Sequence, residues 1–276
     1  MNITSLRTFL AIVETGSLVR ASARLNVTQS TVTARLHALE DALGQTLLNR
    51  PKSGVTLTAA GVRLYRYAET ISDLWDQARQ EAALPGAFGA VCNIGCHPDL
   101  WPDLGARMFD HIRQNEPAVA LSVAHGGQAE LKEWMKSGLV DVILSFWPAA
   151  DPKQDVLPLM TDRLCLVSTD PASPVKFDPG YVFVENGAEF SRHHAAAYAD
   201  ANTARLNFGS AALGLDHILA HGGTAYLPLR MARPHLDAGR LHLIADAPEF
   251  SRPSYVIVNS NAVRDWPWFA TALPQI

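Results

Sequence analysis

Three apolar stripes with helical spacing follow one another in the first 43 residues, and they constrain the fold more than any other feature. Residues 6–13 repeat apolar side chains at three- and four-residue steps, which predicts an amphipathic helix that ends near Gly16. Residues 18–25 predict a second helix that buries Ala21 and Leu25, before a turn at residues 26–27. Thr28 is a natural N-cap for a third helix. The chain is therefore expected to begin with a small helical unit.

The third helix is predicted to have one apolar face and one small, polar face. Its apolar positions are Val32, Leu36, Leu39 and Leu43. Short hydroxyl side chains on the other face would let the backbone enter the major groove of DNA, where Gln29 and Arg35 could reach base edges or phosphates. An ordinary solvated helix surface is the alternative. The candidate DNA-binding residues of this helix are Thr28, Gln29, Ser30, Thr31, Thr33, Arg35 and His37.

Residues 47–58 form the second element of the predicted DNA-binding unit. Two short extended segments flank a turn rich in Pro, Ser and Gly, which predicts a β-hairpin wing. Arg50 and Lys52 lie in this turn and would sit beside the phosphate backbone or a minor groove. Residues 1–58 are thus interpreted as a winged helix-turn-helix.

The charge distribution supports a polyanionic partner for this unit alone. Residues 1–66 carry eight Lys and Arg against three acidic residues, although the whole chain has a net charge of -4. A basic head on an acidic body indicates that only the head meets double-stranded DNA.

Residues 59–86 predict a long linker helix that Thr58 caps and Leu84-Pro85-Gly86 ends. Its apolar positions follow heptad steps, which favours pairing with the same helix of a second chain. The alternative is packing on its own domain. The candidate dimerisation residues are Leu64, Ala68, Ile71, Trp75 and Ala78, with Ala82 continuing the seam.

Residues 87–276 change to strands that alternate with helices, which predicts a mainly parallel α/β architecture. Strands are predicted at 90–95, 118–124, 140–145, 163–168, 181–184, 205–208, 224–227 and 256–259, and helices at 99–115, 129–137, 190–201, 211–221 and near Trp268. The segments divide into lobe I, about 87–160 and 257–276, and lobe II, about 161–256. Two lobes joined by two crossing segments make a hinged cleft.

The cleft is expected to bind a small molecule at the carboxyl ends of the strands. Lobe I contributes Cys96, His97, Pro98, Asp99, Gly126, Gly127, Gln128, Phe146 and Trp147, and lobe II contributes Asn186, Gly187, Glu189, Arg192, Gly209 and Ser210.

Two ligand classes fit these residues, and the sequence does not decide between them. Helix N-termini after Pro98 and near Ala129 would present free N–H groups that suit small anions such as organic acids, and Arg192 could pair with them. Phe146 and Trp147 would instead favour an aromatic or apolar ligand. A surface arginine and two core aromatics are the alternative to any such site.

A family resemblance adds to these expectations. The run Ala21-x-x-x-Leu25-Asn26-Val27-Thr28-Gln29-x-x-Val32-Thr33-x-x-Leu36-x-x-Leu39-Glu40-x-x-Leu43-Gly44 and the later Leu57-Thr58-x-x-Gly61 resemble the DNA-binding domain of LysR-type transcriptional regulators. Ile94-Gly95, Asn115-x-Pro117, Gly138-Leu139-x-Asp141 and Gly223-x-x-x-x-Pro228 resemble their effector-binding domain, itself similar to periplasmic solute-binding proteins. The resemblance implies a homodimer or homotetramer whose linker helices pair two subunits.

Other function classes have less support. Gly-x-Ser-x-Gly, the phosphate-binding Gly-x-x-x-x-Gly-Lys and His-Glu-x-x-His do not occur, so an enzyme would have to use scattered groups such as His193, His194, Glu189 or Asp216-His217. A bare architectural DNA-binding protein would not need about 190 further residues, although a ligand-independent regulator with a vestigial cleft stays open. No cofactor is expected.

Cysteine usage and hydropathy complete the expectations. Cys92 and Cys96 are too far apart along a strand to bridge, so buried free thiols are expected in preference to a redox pair or a metal site with His97. The start has no signal-peptide core, and apolar runs such as Val142-Ile143-Leu144 are far shorter than the ~20 residues that cross a bilayer. We therefore expect a cytoplasmic protein without a membrane partner.

Overall fold

The computed structural model describes residues 2–49, 54–148, 151–176, 178–199, 204–264 and 266–269. The chain divides into two compact units, Met1–Gly86 and Ala87–Ile276. Arg50 and Lys52 of the predicted wing, and the chain beyond residue 269, lie outside the described residues.

The first unit has three short helices, a two-stranded hairpin and a long helix. These are α1 Ile3–Thr15, α2 Leu18–Arg24, α3 Gln29–Leu43, β1 Leu48–Asn49, β2 Thr56–Leu57 and α4 Ala59–Ala82. Glycines end α1 and α3, because Gly16 and Gly44 take left-handed conformations with φ of 64° and 62°. Thr28 and Thr58 cap α3 and α4, each accepting a hydrogen bond from a backbone N–H three residues on. The sequence predicted three of these boundaries, at Gly16, Thr28 and Thr58.

The core of the first unit lies between α1 and the buried sides of α3 and α4. Phe9, Leu36 and Leu39 are buried in it, as are other apolar side chains of the predicted stripes. Two predictions need correction. Leu43 is 42% exposed, because it lies in the last turn of α3, and Leu25 is only partly buried.

The predicted seam of α4 is divided between two environments. Ala68 is fully buried, and Leu64 and Ile71 pack against the same core as α1 and α3. Trp75 is 48% exposed, and Ala78 is exposed. The first half of the seam therefore packs on its own domain, which was the alternative interpretation, and only the second half is uncovered in this chain.

The second unit is built on a nine-stranded sheet. Its strands are β3 Ala90–Cys96, β4 Val119–His125, β5 Val142–Ser145, β6 Gln154–Ser168, β7 Tyr181–Val184, β8 Leu206–Phe208, β9 Thr224–Pro228, β10 His242–Leu243 and β11 Phe250–Asn259. Its α-helices are α5 Ala106–Asn115, α6 Gln128–Ser137, α7 Ala188–Ala197, α8 Ala211–His221, α9 Leu229–Asp237 and α10 Ser260–Val263. The order is β4-β3-β5-β11-β6-β9-β7-β8, with β10 paired to β6.

Two long antiparallel strands join the lobes. Strands β4, β3 and β5 are parallel in lobe I, and β9, β7 and β8 are parallel in lobe II. Between them β6 and β11 pair over the whole of residues 250–259. The predicted crossing strands at 163–168 and 256–259 were thus too short, because Pro158 and Pro253 in the first halves of β6 and β11 disfavour a strand assignment. The lobe boundary near residue 160 falls inside β6.

Three other parts of the second unit differ from prediction. The helix expected at 99–115 begins as a 3-10 turn at Pro98–Leu100 and a π turn at Trp101–Gly105, and α5 starts only at Ala106. Pro102 has an extended ψ of 122°, since its ring resists a helix interior. Helix α9 and strand β10 were not predicted, and α9 contains Pro234. The short helix α10 was also not predicted, whereas the helix expected near Trp268 falls at the edge of the described residues, where Phe269 is helical.

Several expected absences concern only the described part of the chain. Its cysteines Cys92, Cys96 and Cys165 are buried and free, and burial raises the pKa of each thiol. No helix there combines the length and the apolar character that crossing a bilayer requires. Those residues also contain no group of three or more His, Cys, Asp or Glu suited to a metal ion.

Candidate DNA-binding face and interlobe site

Helix α3 presents its polar face to solvent. Val32, Leu36 and Leu39 are buried, whereas Gln29 and Ser30 are exposed. Among the other candidate residues, Thr28 and His37 are exposed and Thr31, Thr33 and Arg35 are partly exposed. The helix therefore has the orientation that a recognition helix needs, with its first turn accessible.

The first turn of α3 is organised by hydroxyl contacts. Thr28 Oγ1 accepts from the Thr31 N–H at 3.2 Å and lies 2.8 Å from both Ser30 Oγ and Thr31 Oγ1. These contacts fix the side chains at the end of the helix where base edges are read in helix-turn-helix proteins.

The base of the hairpin is attached to α3 and α4. The Leu47 N–H donates to Glu40 Oε1 at 2.8 Å, and the Thr58 N–H donates to the Leu47 carbonyl at 2.9 Å. Gly61 in α4 faces Leu47 so closely that an added Cβ would clash with the Leu47 carbonyl oxygen and lie 2.9 Å from Leu57 Cδ2. Together these contacts set the hairpin relative to α3.

Asp99 is the centre of a buried polar network between the two lobes of the second unit. Its side chain is 0% exposed. Oδ1 accepts from the Ala211 N–H at the start of α8 at 2.8 Å, and Oδ2 accepts from Arg252 Nη1 at 3.0 Å. A carboxylate from lobe I thus occupies the N-terminus of a lobe II helix, where the helix dipole favours negative charge.

Arg252 comes from the crossing strand β11 and contacts both lobes. Its Nη1 also donates to Asn186 Oδ1 at 3.1 Å, and Asn186 Nδ2 donates to the Tyr226 carbonyl at 3.1 Å. Its guanidinium carbon lies 3.3 Å from the centre of the Phe146 ring, close enough for a strong cation–π contact. Its Nε–H is buried and has no acceptor among the described residues. This unpaired donor points to a place where a bound acceptor would be favourable.

A second ion pair flanks the first. Arg230 Nε donates to Asp162 Oδ1 at 2.8 Å, and Nη2 donates to Asp162 Oδ2 at 3.2 Å. Arg230 also donates to the carbonyls of Asp99 and Pro102. Arg230 from α9 therefore holds the irregular turn of lobe I that carries Asp99.

His97 is neutral beside these charges. Burial is the largest of the causes that lower its pKa to about 4; the nearby Arg252 and Arg230 act in the same direction, and Asp99 acts in the opposite one. A neutral ring is consistent with its role, since Nδ1 accepts from the Asp99 N–H at 3.2 Å. The His97 ring also makes an edge contact with Phe146, at 4.9 Å between centres.

The structure brings five of the fifteen predicted cleft residues together: His97, Asp99, Phe146 and Asn186 in the network, and the buried Ser210 next to Ala211. Others lie elsewhere. Cys96 is buried in the lobe I core, with Pro98 partly buried beside the network, and Gly126 is buried under Trp134. Trp147 packs against the α6 side of the sheet. The residues left exposed are Gly127, Gln128, Gly187, Glu189, Arg192 and Gly209.

Two backbone amides at the predicted helix N-termini are paired within the protein rather than left free for a ligand. The Asp99 N–H donates to His97 Nδ1, and the Gly127 N–H donates to Glu130 Oε2 at 2.9 Å. Those amides are satisfied by the protein's own side chains. Arg192 is exposed on α7. The buried cations at the cleft are instead Arg252 and Arg230.

Sequence reasoning missed Arg252, Arg230 and Asp162. Arg252 and Asp162 are direct cross-strand neighbours in β11 and β6, so opposite charges at paired positions were a usable signal. The signal required the register of two strands about 90 residues apart, which no local pattern supplies.

Comparisons with known proteins find family models and a relative that match most of this chain. Residues 3–62 match the family described as "Bacterial regulatory helix-turn-helix protein, lysR family", and residues 88–266 match the "LysR substrate binding domain". The HTH-type transcriptional regulator HdfR of Escherichia coli is 29% identical over 262 residues, which is 93% of this chain and 91% of HdfR.

Solved structures share the fold. CbnR, a LysR family transcriptional regulator, is 18% identical with a TM-score of 0.70, covering 100% of this chain and 98% of CbnR. Vibrio fischeri DarR in complex with DNA is 19% identical with a TM-score of 0.58, covering 94% and 93%. The full-length LysG of Corynebacterium glutamicum with bound effector Arg is 21% identical with a TM-score of 0.53, covering 99% and 97%.

Proposed function

This chain belongs to the LysR family of transcription regulators, and we propose that it reads DNA with the exposed face of α3 and responds to an effector bound between its two lobes. It is a DNA-binding transcriptional regulator with an effector-binding domain. We infer a regulatory rather than a catalytic role from this membership. Since such a protein acts on the chromosome, we place it in the cytoplasm.

The orientation of α3 carries the DNA-binding proposal. Its buried apolar side fixes which residues face outward, and Gln29 and Arg35 have the lengths needed to reach bases or phosphates. Arg50 and Lys52 are assigned to the phosphate backbone on sequence alone. DarR and CbnR, which share this fold, have been solved with DNA, and this supports DNA binding by the first unit.

Band shifts with the protein's own upstream DNA test this proposal. Affinity should fall steeply as salt rises, with a logarithmic slope of about 0.9 per phosphate neutralised. Gln29→Ala should weaken binding to the operator and reduce preference over unrelated DNA, whereas Arg50→Ala should weaken binding to all sequences and lower the slope. Lys136→Ala, an exposed cation on α6, is the matched control. Unchanged operator affinity in Gln29→Ala and Arg35→Ala would refute the assignment of α3.

The effector is proposed to bind beside Arg252. The network joins lobe I, lobe II and a crossing strand through Asp99, Asn186 and Arg252, so a ligand placed there contacts every part that must move. The unpaired Nε–H of Arg252 favours a ligand with a hydrogen-bond acceptor, and Phe146 favours an apolar or aromatic body. A ligand that prefers one lobe arrangement would change the affinity of the protein for DNA. Bound DNA would then change the affinity for the ligand by the same factor.

A thermal-shift screen of small organic acids, aromatics and amino acids tests the effector proposal. A hit should raise the melting temperature of the wild type and lose its effect in Phe146→Ala or Asn186→Ala. A hit that both variants retain would bind elsewhere.

A ligand-independent regulator is the second candidate, and one observation favours it. The Asp99–Arg252 ion pair already occupies the centre between the lobes. If no compound shifts melting while operator binding is normal, this second function replaces effector control.

A homo-oligomer is the third part of the proposal. Trp75 and Ala78 on α4 are exposed and continue the heptad seam beyond the residues that their own domain covers. We assign them to contact with the same helix of a second copy, which would place two copies of α3 on two half-sites. Both a dimer and a tetramer are compatible with this pairing.

A further inference from the structure

Lobe II contains a cavity of about 720 Å³ that is separate from the interlobe network. It lies between α7, the loop before β7 and the adjacent face of the sheet. Tyr181 and Thr224, which begin β7 and β9, line it, whereas Asn186 of the network follows the other end of β7. The cavity, here named the α7 pocket, therefore lies towards the opposite end of these strands from the proposed effector site.

The wall of the α7 pocket is aromatic. Tyr181 and His194 stack with 5.7 Å between ring centres and 9° between planes, and Tyr181 Oη lies 2.8 Å from His194 Nε2. The centre of the His194 ring lies 4.7 Å from that of Tyr198 and 5.5 Å from that of Phe183. Burial raises the pKa of Tyr181 and lowers the pKa of His194, so both rings are neutral near pH 7. A wall of neutral rings favours a planar, apolar ligand.

The charges that face the α7 pocket favour an anion. Lys176 Nζ lies 6.0 Å from the centre of the Tyr198 ring, and Arg205 is exposed on the same cavity. Within the described ranges neither cation forms an ion pair. The acidic side chain of the wall, Asp178, is committed to the protein, because it accepts from the Gly180 N–H at 2.7 Å and from the Thr224 hydroxyl. Two cations against this one carboxylate give the described wall a net positive charge.

We propose that the α7 pocket is a second ligand site that binds an aromatic carboxylate, with its rings against Tyr181, His194 and Tyr198 and its carboxylate near Lys176 and Arg205. The volume lies within the range of about 300–1,000 Å³ that small-molecule sites occupy. The pocket is also linked to the crossing strand β11 through ring contacts of α7. Phe250 of β11 lies 6.4 Å from the His194 ring and 5.2 Å from Phe190, on the strand that carries Arg252.

Calorimetric titration of the full-length protein with 2-naphthoate tests this proposal, with the neutral 2-naphthylmethanol as its matched analogue. The acid should bind the wild type with a Kd below about 1 mM and at least ~10-fold more tightly than the alcohol. The double variant Lys176→Ala with Arg205→Ala should bind 2-naphthoate at least ~10-fold more weakly than the wild type does. Its affinity for 2-naphthylmethanol should be unchanged, because these cations contact only the carboxylate.

A filling variant locates the binding. Ala195 is an exposed α7 residue on the pocket wall, so Ala195→Trp should abolish 2-naphthoate binding without changing the circular dichroism spectrum. Phe146→Ala alters the interlobe site and should not affect it. No binding to the wild type, equal affinity for acid and alcohol, or full binding to Ala195→Trp would each overturn the proposal.

This outcome is independent of the proposed function. Ala195→Trp should retain wild-type operator affinity in band shifts, since α7 belongs to the second unit. A variant that loses 2-naphthoate binding but keeps operator binding tests only the α7 pocket. The effect of Gln29→Ala on operator binding tests only the role of α3.

Discussion

Arg252 Nη1 lies 3.0 Å from Asp99 Oδ2, in an ion pair whose side chains are 7% and 0% exposed. Asp99 belongs to lobe I and Arg252 to the crossing strand, and the same Nη1 reaches Asn186 of lobe II. A buried pair of this kind adds little to stability as a unit, because desolvation offsets the attraction, but breaking it exposes an uncompensated charge. The two lobes are therefore coupled through an ion pair, and a lobe movement that separates the two charges while they stay buried would cost free energy.

The first prediction is a strong non-additivity between these two positions. Asp99→Asn and Arg252→Gln should each lower the free energy of unfolding of the second unit by about 3–5 kcal/mol, because each leaves one buried charge unpaired. The double variant should lose much less than the sum, since both charges are gone. Urea denaturation followed by tryptophan fluorescence measures all four proteins. Arg107→Gln, which breaks the exposed pair with Asp103, is the control and should change stability by less than about 1 kcal/mol.

The second prediction concerns pH and His97. Its pKa is lowered to about 4 in the folded protein, against about 6.5 in the unfolded chain, so between these values only the unfolded chain binds the proton. Stability should fall as the pH drops from 6.5 towards 4, by up to about 3 kcal/mol, and this loss should be complete below pH 4.

His97→Asn separates this effect from other titrations. Asn keeps an acceptor for the Asp99 N–H and binds no proton in this range. The pKa values of His194 and His235 are also lowered by burial, so the variant should retain part of the pH dependence and lose the part that belongs to His97. Identical slopes for both proteins in urea denaturation between pH 6.5 and 4 would show that His97 does not titrate as described.

The sequence predicted the first unit well because its information is local. Gly16, Thr28 and Thr58 mark helix ends by their own chemistry, and the apolar stripe of α3 indicates which side of that helix is buried. The seam of α4 was harder, since heptad spacing looks the same whether a residue such as Ala68 is covered by its own domain or by a second chain.

The interlobe site was only partly predictable for a related reason. His97, Asp99, Phe146 and Asn186 follow strand ends, so strand assignment alone placed them at the cleft. Arg252 lies within a strand and acts through residues about 66 and 153 positions away, so its role depends on tertiary pairing.

The third prediction concerns the base of the hairpin. Gly61→Ala would place a Cβ against the Leu47 carbonyl oxygen, and backbone cannot move aside as a flexible side chain would. We expect a melting temperature several degrees lower for the first unit and weaker operator binding, because the hairpin is displaced relative to α3. Gly86→Ala is the control, since nothing lies within 4 Å of its added Cβ. Differential scanning calorimetry measures the melting temperature, and band shifts measure operator affinity. If Gly61→Ala has the wild-type value for both, the described packing is wrong.

The last prediction separates folding from assembly along α4. Trp75 is exposed in a single chain, so Trp75→Glu should leave the first unit folded and shift the oligomer towards monomer in sedimentation velocity. Ala68→Glu lies two turns earlier in the core and should unfold that unit instead, because a charge would be buried without a partner. Gln80→Glu, exposed on the side of α4 away from the seam, controls for added negative charge and should not change the oligomer. If Trp75→Glu sediments as the wild type does, subunits associate through another surface, and the exposed half of the seam has no role in pairing.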